Sequence, residues 1–101
     1  MAWMKSLHSR PHESALEPST LDLDQLRHQL HDALQQCEGP MCERMRWRID
    51  EAHTAQHLWQ LRGEIFQLIA RQFYQEEAAR RINALLPAFS GWLPAHMLTR
   101  V

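Results

Sequence analysis

The sequence predicts an all-α fold, and three observations carry that prediction. Glycine is scarce, with three in 101 residues. β-Branched residues are few, and Val101 is the only valine. Apolar residues recur at spacings of three and four along most of the chain. Scarce glycine removes helix breakers, few β-branched residues disfavour strands, and the third is the pattern of helices that bury one face. The length fits one small domain. A hydrophobic fraction of 45% with 23% charged residues is ordinary globular composition, not that of a disordered chain. Eleven Lys and Arg against twelve Asp and Glu give a formal charge of −1, which lacks the basic footprint of a nucleic-acid binder. No apolar run approaches the ~18 residues of a membrane span.

Residues 1–18 contain Pro11 and Pro18 and no helical period, and read as a flexible leader in which Trp3, Met4 and Leu7 could form a short docking element. No apolar stretch follows Lys5, so the leader does not read as a secretory signal, and the cytoplasm is the expected compartment. Residues 19–101 then form a single helical domain. Its first helix, about 20–37, starts among Ser19, Thr20 and Asp22, which are good N-caps. Leu23, Leu26, Leu30, Ala33 and Cys37 make its apolar stripe, with Leu34 alongside. Gly39-Pro40 ends it, and the short linker turns the chain back into an antiparallel hairpin.

The second helix is expected to be long, about 41–74. Cys42, Met45, Ile49, Ala52, Gln56, Trp59, Gly63, Phe66, Ala70 and Phe73 form one 3-4 series, softened only at Gln56 and Gly63. From Leu58 a second stripe joins it: Leu58, Leu61, Ile65, Leu68 and Ile69. The distal half is therefore apolar on two sides. The phase slips near Tyr74 to Glu77, where a break is expected before a third helix at about 76–86. Phe89, Trp92, Leu93, Met97 and Leu98 mark an apolar tail, and Pro94 opens a short helix at about 94–100.

Candidate chemistry is sparse. Cys37 and Cys42 lack the second pair a zinc site needs, so buried reduced thiols are expected, with a disulfide pinning the turn as the alternative. Asp24, His28 and His31 share one helical face, as do Asp50, His53 and His57, and a metal site between the two helices is an alternative reading. Their offset from the core stripes favours a polar flank without metal. No cofactor is expected. The serines lie in no G-x-S-x-G context, and the glycines make no phosphate loop. Arg44 and Arg48 share a face while Arg46 points away, which gives a solvated surface or a contact for an anionic patch.

Trp47 lies off the core series beside these arginines, and Trp92 lies in a Pro-bounded tail. Trp and Arg are the residue types that anchor protein interfaces. Trp59 sits on the core series.

Two resemblances bear on function. The string Arg46-Trp47-Arg48-Ile49-Asp50 is similar to the Arg-x-x-Ile-Asp start of the long helix in chorismate-mutase-like bundles, which makes a small all-α mutase an alternative. Those enzymes hold a dicarboxylate with Arg and Lys, and the only Lys here is in the leader. As a whole, the length, the leader, the helical hairpin, the overlong two-sided helix, the Trp-bearing tail and the general pattern of Leu23 to Phe73 resemble the small helical anti-activators of LuxR-type quorum-sensing transcription factors, of the LasR-specific antiactivator type. That resemblance implies a helical homodimer that binds a transcription regulator over its dimerisation surface and keeps it from DNA.

The sequence thus points to a non-enzymatic, homodimeric protein-binding module with no nucleic-acid or membrane partner. The expected partner and dimer interface comprises Trp47, Trp59, Leu61, Ile65, Phe66, Ile69, Phe73, Phe89 and Trp92. The homodimer follows from the two-sided helix. The first helix is too short to cover it, and an open stripe from Leu61 to Phe73 would rival the ~300–600 Å² of the largest patches on monomers.

Overall fold

The computed structural model describes residues 17–101. The expected leader therefore lies almost wholly outside the described residues, as does any docking element at Trp3, Met4 and Leu7. The described chain is all-α, apart from an isolated bridge between Ser90 and Leu93. The helices are α1 (Leu23–Ala33), α2 (Pro40–Glu51), α3 (Ala55–Gln60), α4 (Arg62–Gln72), α5 (Gln75–Asn83) and α6 (Leu86–Phe89), followed by a 3-10 turn at Ala95–Met97.

Helix α1 begins at a capping box. The Asp22 carboxylate accepts from the Gln25 backbone N–H at 2.8 Å, and the Gln25 side chain accepts from the Asp22 N–H at 2.8 Å. The helix ends four residues earlier than expected. Its terminal carbonyls are taken by guanidinium groups instead of by another helical turn. Arg46 donates to Leu34 and Cys37, and Arg81 donates to Ala33 and Gln35. Gln36 then adopts a left-handed φ of 67°, and Gly39 at φ 106° leads into Pro40 at the start of α2.

The single long helix expected over 41–74 is three helices. The first break falls at Ala52 to Thr54. Ala52 is extended, and its carbonyl accepts from Arg27 Nε at 2.9 Å. Thr54 is extended too, and its hydroxyl accepts from the His57 N–H at 3.0 Å, which caps α3. The second discontinuity is a tightened turn at Leu61, where Arg62 donates to the Trp59 carbonyl at 2.9 Å. Heptad spacing runs through both points, so the sequence pattern does not reveal them.

The break changes which face is buried. Downstream of it, Ala55, Leu58, Trp59, Leu61, Ile65, Leu68 and Ile69 are buried, while Gln56 and Gly63 are exposed. The second stripe becomes the core line. Phe66, Ala70 and Phe73 pack half-buried at its edge. A further break at Phe73 and Tyr74, at the expected position, lets α5 fold back on α4. Ala78 and Ile82 of α5 close the core from that side.

This arrangement corrects the expectation that a second copy must cover the stripe. Helices α1 and α5, with α6 and the tail, enclose Trp59, Leu61, Ile65, Ile69 and Phe89 within one chain. These five are core residues and present no surface to a partner. The physical reason is the break at Ala52 to Thr54: a shorter, redirected α4 needs less cover than an unbroken helix.

The tail is fixed as well. Trp59 Nε1 donates to the Met97 carbonyl at 3.1 Å, and its ring lies 5.0 Å from that of Phe89. Ser19 N–H donates to the Ser90 carbonyl at 2.7 Å, and Trp92 Nε1 donates to the Leu21 carbonyl at 3.1 Å. Gly91, at φ 88°, passes so close to Pro18 that a Cβ would meet its Cα at 3.2 Å. Pro94 leads into three residues of 3-10 helix instead of the expected helix at 94–100.

Candidate functional site: an arginine-rimmed cleft between α2 and α4

Four of the nine expected interface residues keep some exposure. Trp47 on α2 is 63% exposed and Trp92 is 42% exposed. Phe66 and Phe73 are half-buried. Trp92 is held by its hydrogen bond to Leu21, so part of its role is to fasten the first described residues to the tail. Phe73 lies under the Arg81 guanidinium, 4.7 Å from ring centroid to Cζ, so α5 already partners it. Trp47 remains as a large aromatic with most of its surface in solvent.

On another face of the same helix, α2 and α4 bound a cleft of about 320 Å³. Position 41 and the positions three, four and seven residues beyond it put Met41, Arg44, Met45 and Arg48 on one face of α2. Glu64, Gln67, Leu68 and Arg71 face them from α4. Met45 and Leu68 are buried and form an apolar floor, while Met41 is 58% exposed at the rim. Arg48 holds Glu64 in a two-point contact, at 2.7 and 3.0 Å. The Arg48 hydrogen bond draws the Glu64 carboxyl below its usual value, and Glu64 raises Arg48 in return. Among the described residues, Arg44 and Arg71 pair with no carboxylate.

The shared face of Arg44 and Arg48, and the opposite placement of Arg46, follow the sequence expectation. Arg71 was not legible as part of the site. It sits 23 positions beyond Arg48 in a chain whose intervening break sets its direction. The only sequence signal was an arginine in the last turn of an apolar helix.

The other candidate clusters divide among structural contacts. Asp24 pairs with Arg27, His28 lies 4.0 Å from Asp32, and His31 meets Asp50 at 2.7 Å. The helix break separates Asp50 from His53 and His57 on the chain. Among the described residues, no three His, Cys, Asp or Glu side chains converge as metal ligands would. The residues of the mutase-like string go to separate contacts, with Arg48 lining the cleft. Arg46 caps the end of α1 and meets Glu43 at 2.5 Å, Ile49 is in the core, and Asp50 meets His31.

Cys37 and Cys42 are buried free thiols. Burial pushes the Cys37 thiol up, and the adjacent Cys42 adds to that, which disfavours the reactive thiolate. Gln72 Nε2 donates to Cys42 Sγ at 3.2 Å. No helix among the described residues is long and apolar enough to cross a membrane.

No protein-family model, no curated protein and no solved structure matches the chain.

Proposed function

We propose that the protein is a non-enzymatic protein-binding module of the cytoplasm that inhibits a transcription regulator by covering the regulator's dimerisation surface. The single observation behind this reading is Trp47, 63% exposed on a helix that also presents Arg44 and Arg48. A large aromatic beside arginines is the composition of an interface anchor. The resemblance of the sequence to small anti-activators of LuxR-type regulators supplies the partner class, with the long helix it included divided into three here. The homodimer that the resemblance implies loses its second support, because Trp59, Leu61, Ile65 and Ile69 are enclosed within one chain and Phe66 and Phe73 are half-buried at the edge. The reading therefore uses one protomer with an outward-facing α2.

The test compares the wild-type protein with Trp47→Ala in co-purification from cytoplasmic extract, followed by mass spectrometry. A transcription regulator recovered by the wild type and lost with the variant supports the proposal. Adding the purified protein should then lower that regulator's self-association and DNA binding. Recovery of no regulator, or of one whose self-association is unchanged, overturns it.

A further inference from the structure

The cleft between α2 and α4 is specific about what it can accept. Three arginines and one glutamate line it, so its formal charge is +2, within a chain whose total is −1. The glutamate is engaged by Arg48, which leaves Arg44 and Arg71 on opposite walls without a carboxylate among the described residues. The floor between them, Met45 and Leu68, is apolar, and the exposed thioether of Met41 extends it to the rim. Methionine adapts its shape to an incoming side chain. A space of about 320 Å³ suits an aliphatic or aromatic side chain, not a large cofactor.

We infer that this cleft binds an acidic amphipathic segment of a partner protein, with an apolar side chain on Met45 and Leu68 and carboxylates on Arg44 and Arg71. The inference rests on the protein-binding reading above and names the chemistry of the segment bound. Guanidinium groups match carboxylates through paired, charge-assisted hydrogen bonds. Nucleic acid also carries anions, but a phosphate backbone has no use for the apolar floor. Two uncompensated cations would also release few counterions. An acidic peptide satisfies both the walls and the floor.

The test is fluorescence anisotropy with a labelled peptide that carries Glu residues and one Leu stripe at helical spacing. Its controls are the same peptide with Glu replaced by Gln, the same peptide with Leu replaced by Ser, and a labelled oligonucleotide. The protein variant is Arg44→Glu with Arg71→Glu. Both positions are exposed, and circular dichroism verifies that the variant is folded.

The inference expects the Glu–Leu peptide to bind the wild type, with affinity falling at least tenfold for each control peptide and for the variant, and falling with added salt. Equal binding of the Gln peptide, or an unchanged affinity in the charge-reversed variant, overturns it. So does oligonucleotide binding that the variant abolishes while the peptide fails to bind. Charge-dependent peptide binding without any co-purified regulator removes the proposed function and keeps this inference. A regulator captured through Trp47 without charge-dependent peptide binding does the reverse.

Discussion

Gln72 and Glu38 are joined by a two-point amide clamp. The Gln72 side chain donates to the Glu38 carbonyl at 2.6 Å and accepts from the Glu38 N–H at 2.8 Å, across 34 positions of sequence. The clamp ties the end of α4 to the turn between α1 and α2, so it also fixes α2 against α4 along one edge of the cleft. Gln72→Ala removes both bonds and the contact to Cys42. The groups are exposed enough for water to replace some of the loss, so the expected cost is about 1–2 kcal/mol. The midpoint of urea unfolding measures it, and an unchanged midpoint would show that the clamp adds nothing.

Arg81 is the second fastening of the same turn. It is 7% exposed, donates to the carbonyls of Ala33 and Gln35, and lies over the Phe73 ring. Arg81→Met keeps much of the volume and orphans both carbonyls. The expected loss is about 2–3 kcal/mol. Arg81→Lys should recover only part of it, because one ammonium cannot reproduce the planar fork. Thermal melts of the two variants against wild type decide this, and a lysine variant equal to wild type would count against the geometric argument.

Glu77 is expected to add to the acid sensitivity of the fold. Hydrogen bonds from Arg80 and then Arg81 lower its carboxyl from 4.5 to about 2. In the unfolded chain the group takes up a proton near its ordinary value. Between those two values the unfolded state binds more protons, so stability rises with pH there. The Glu77 contribution is complete above about pH 4.5 and disappears as pH falls through about 2. Glu77→Gln should flatten the pH dependence of stability in that window and leave its shape near neutrality unchanged. A titration whose acid limb is the same in both proteins would assign the acid sensitivity to other groups.

Gly63 stands in the first turn of α4, just past the tightened turn at Leu61, and a Cβ built there meets nothing within 4 Å. Gly63→Ala should therefore stabilise the protein by about 0.5–1 kcal/mol, through helix propensity alone. A destabilised variant in chemical denaturation would indicate that this exposed position has a neighbour in solution, such as a partner chain.

With Leu61, Ile65 and Ile69 enclosed and Phe66 and Phe73 half-buried, the expected species in sedimentation at micromolar concentration is a monomer. Phe66→Asp, at a half-buried position against the core, should lower the melting temperature without changing the mass of the sedimenting species. A wild-type dimer that the variant dissociates would instead place Phe66 at a seam between copies.

The all-α class was readable from composition and spacing, because scarce glycine, few β-branched residues and 3-4 apolar repeats are local properties. A helix start in the Ser19 to Asp22 stretch, the turn at Gly39-Pro40 and the break near Tyr74 were readable for the same reason, since caps, helix breakers and phase slips act within a few residues, although α1 begins at Leu23, three residues later than expected. The division of residues 41–74 into three helices was not. Ala52 is extended because Arg27, 25 positions earlier, binds its carbonyl, and that partner is close only in the folded chain.

The cleft shows the same limit. Spacing within α2 placed Arg44 and Arg48 together and turned Arg46 away, since one helix sets that geometry. Joining them to Arg71 and Leu68 required the packing of α4 against α2. The sequence by itself determined which segments form helices and which residues prefer burial. Only the tertiary structure decided which apolar side chains remain in solvent. The reason is that burial depends on helix direction, and long-range hydrogen bonds from Arg27, Arg46, Gln72 and Arg81 help set that direction across gaps of 9 to 48 residues.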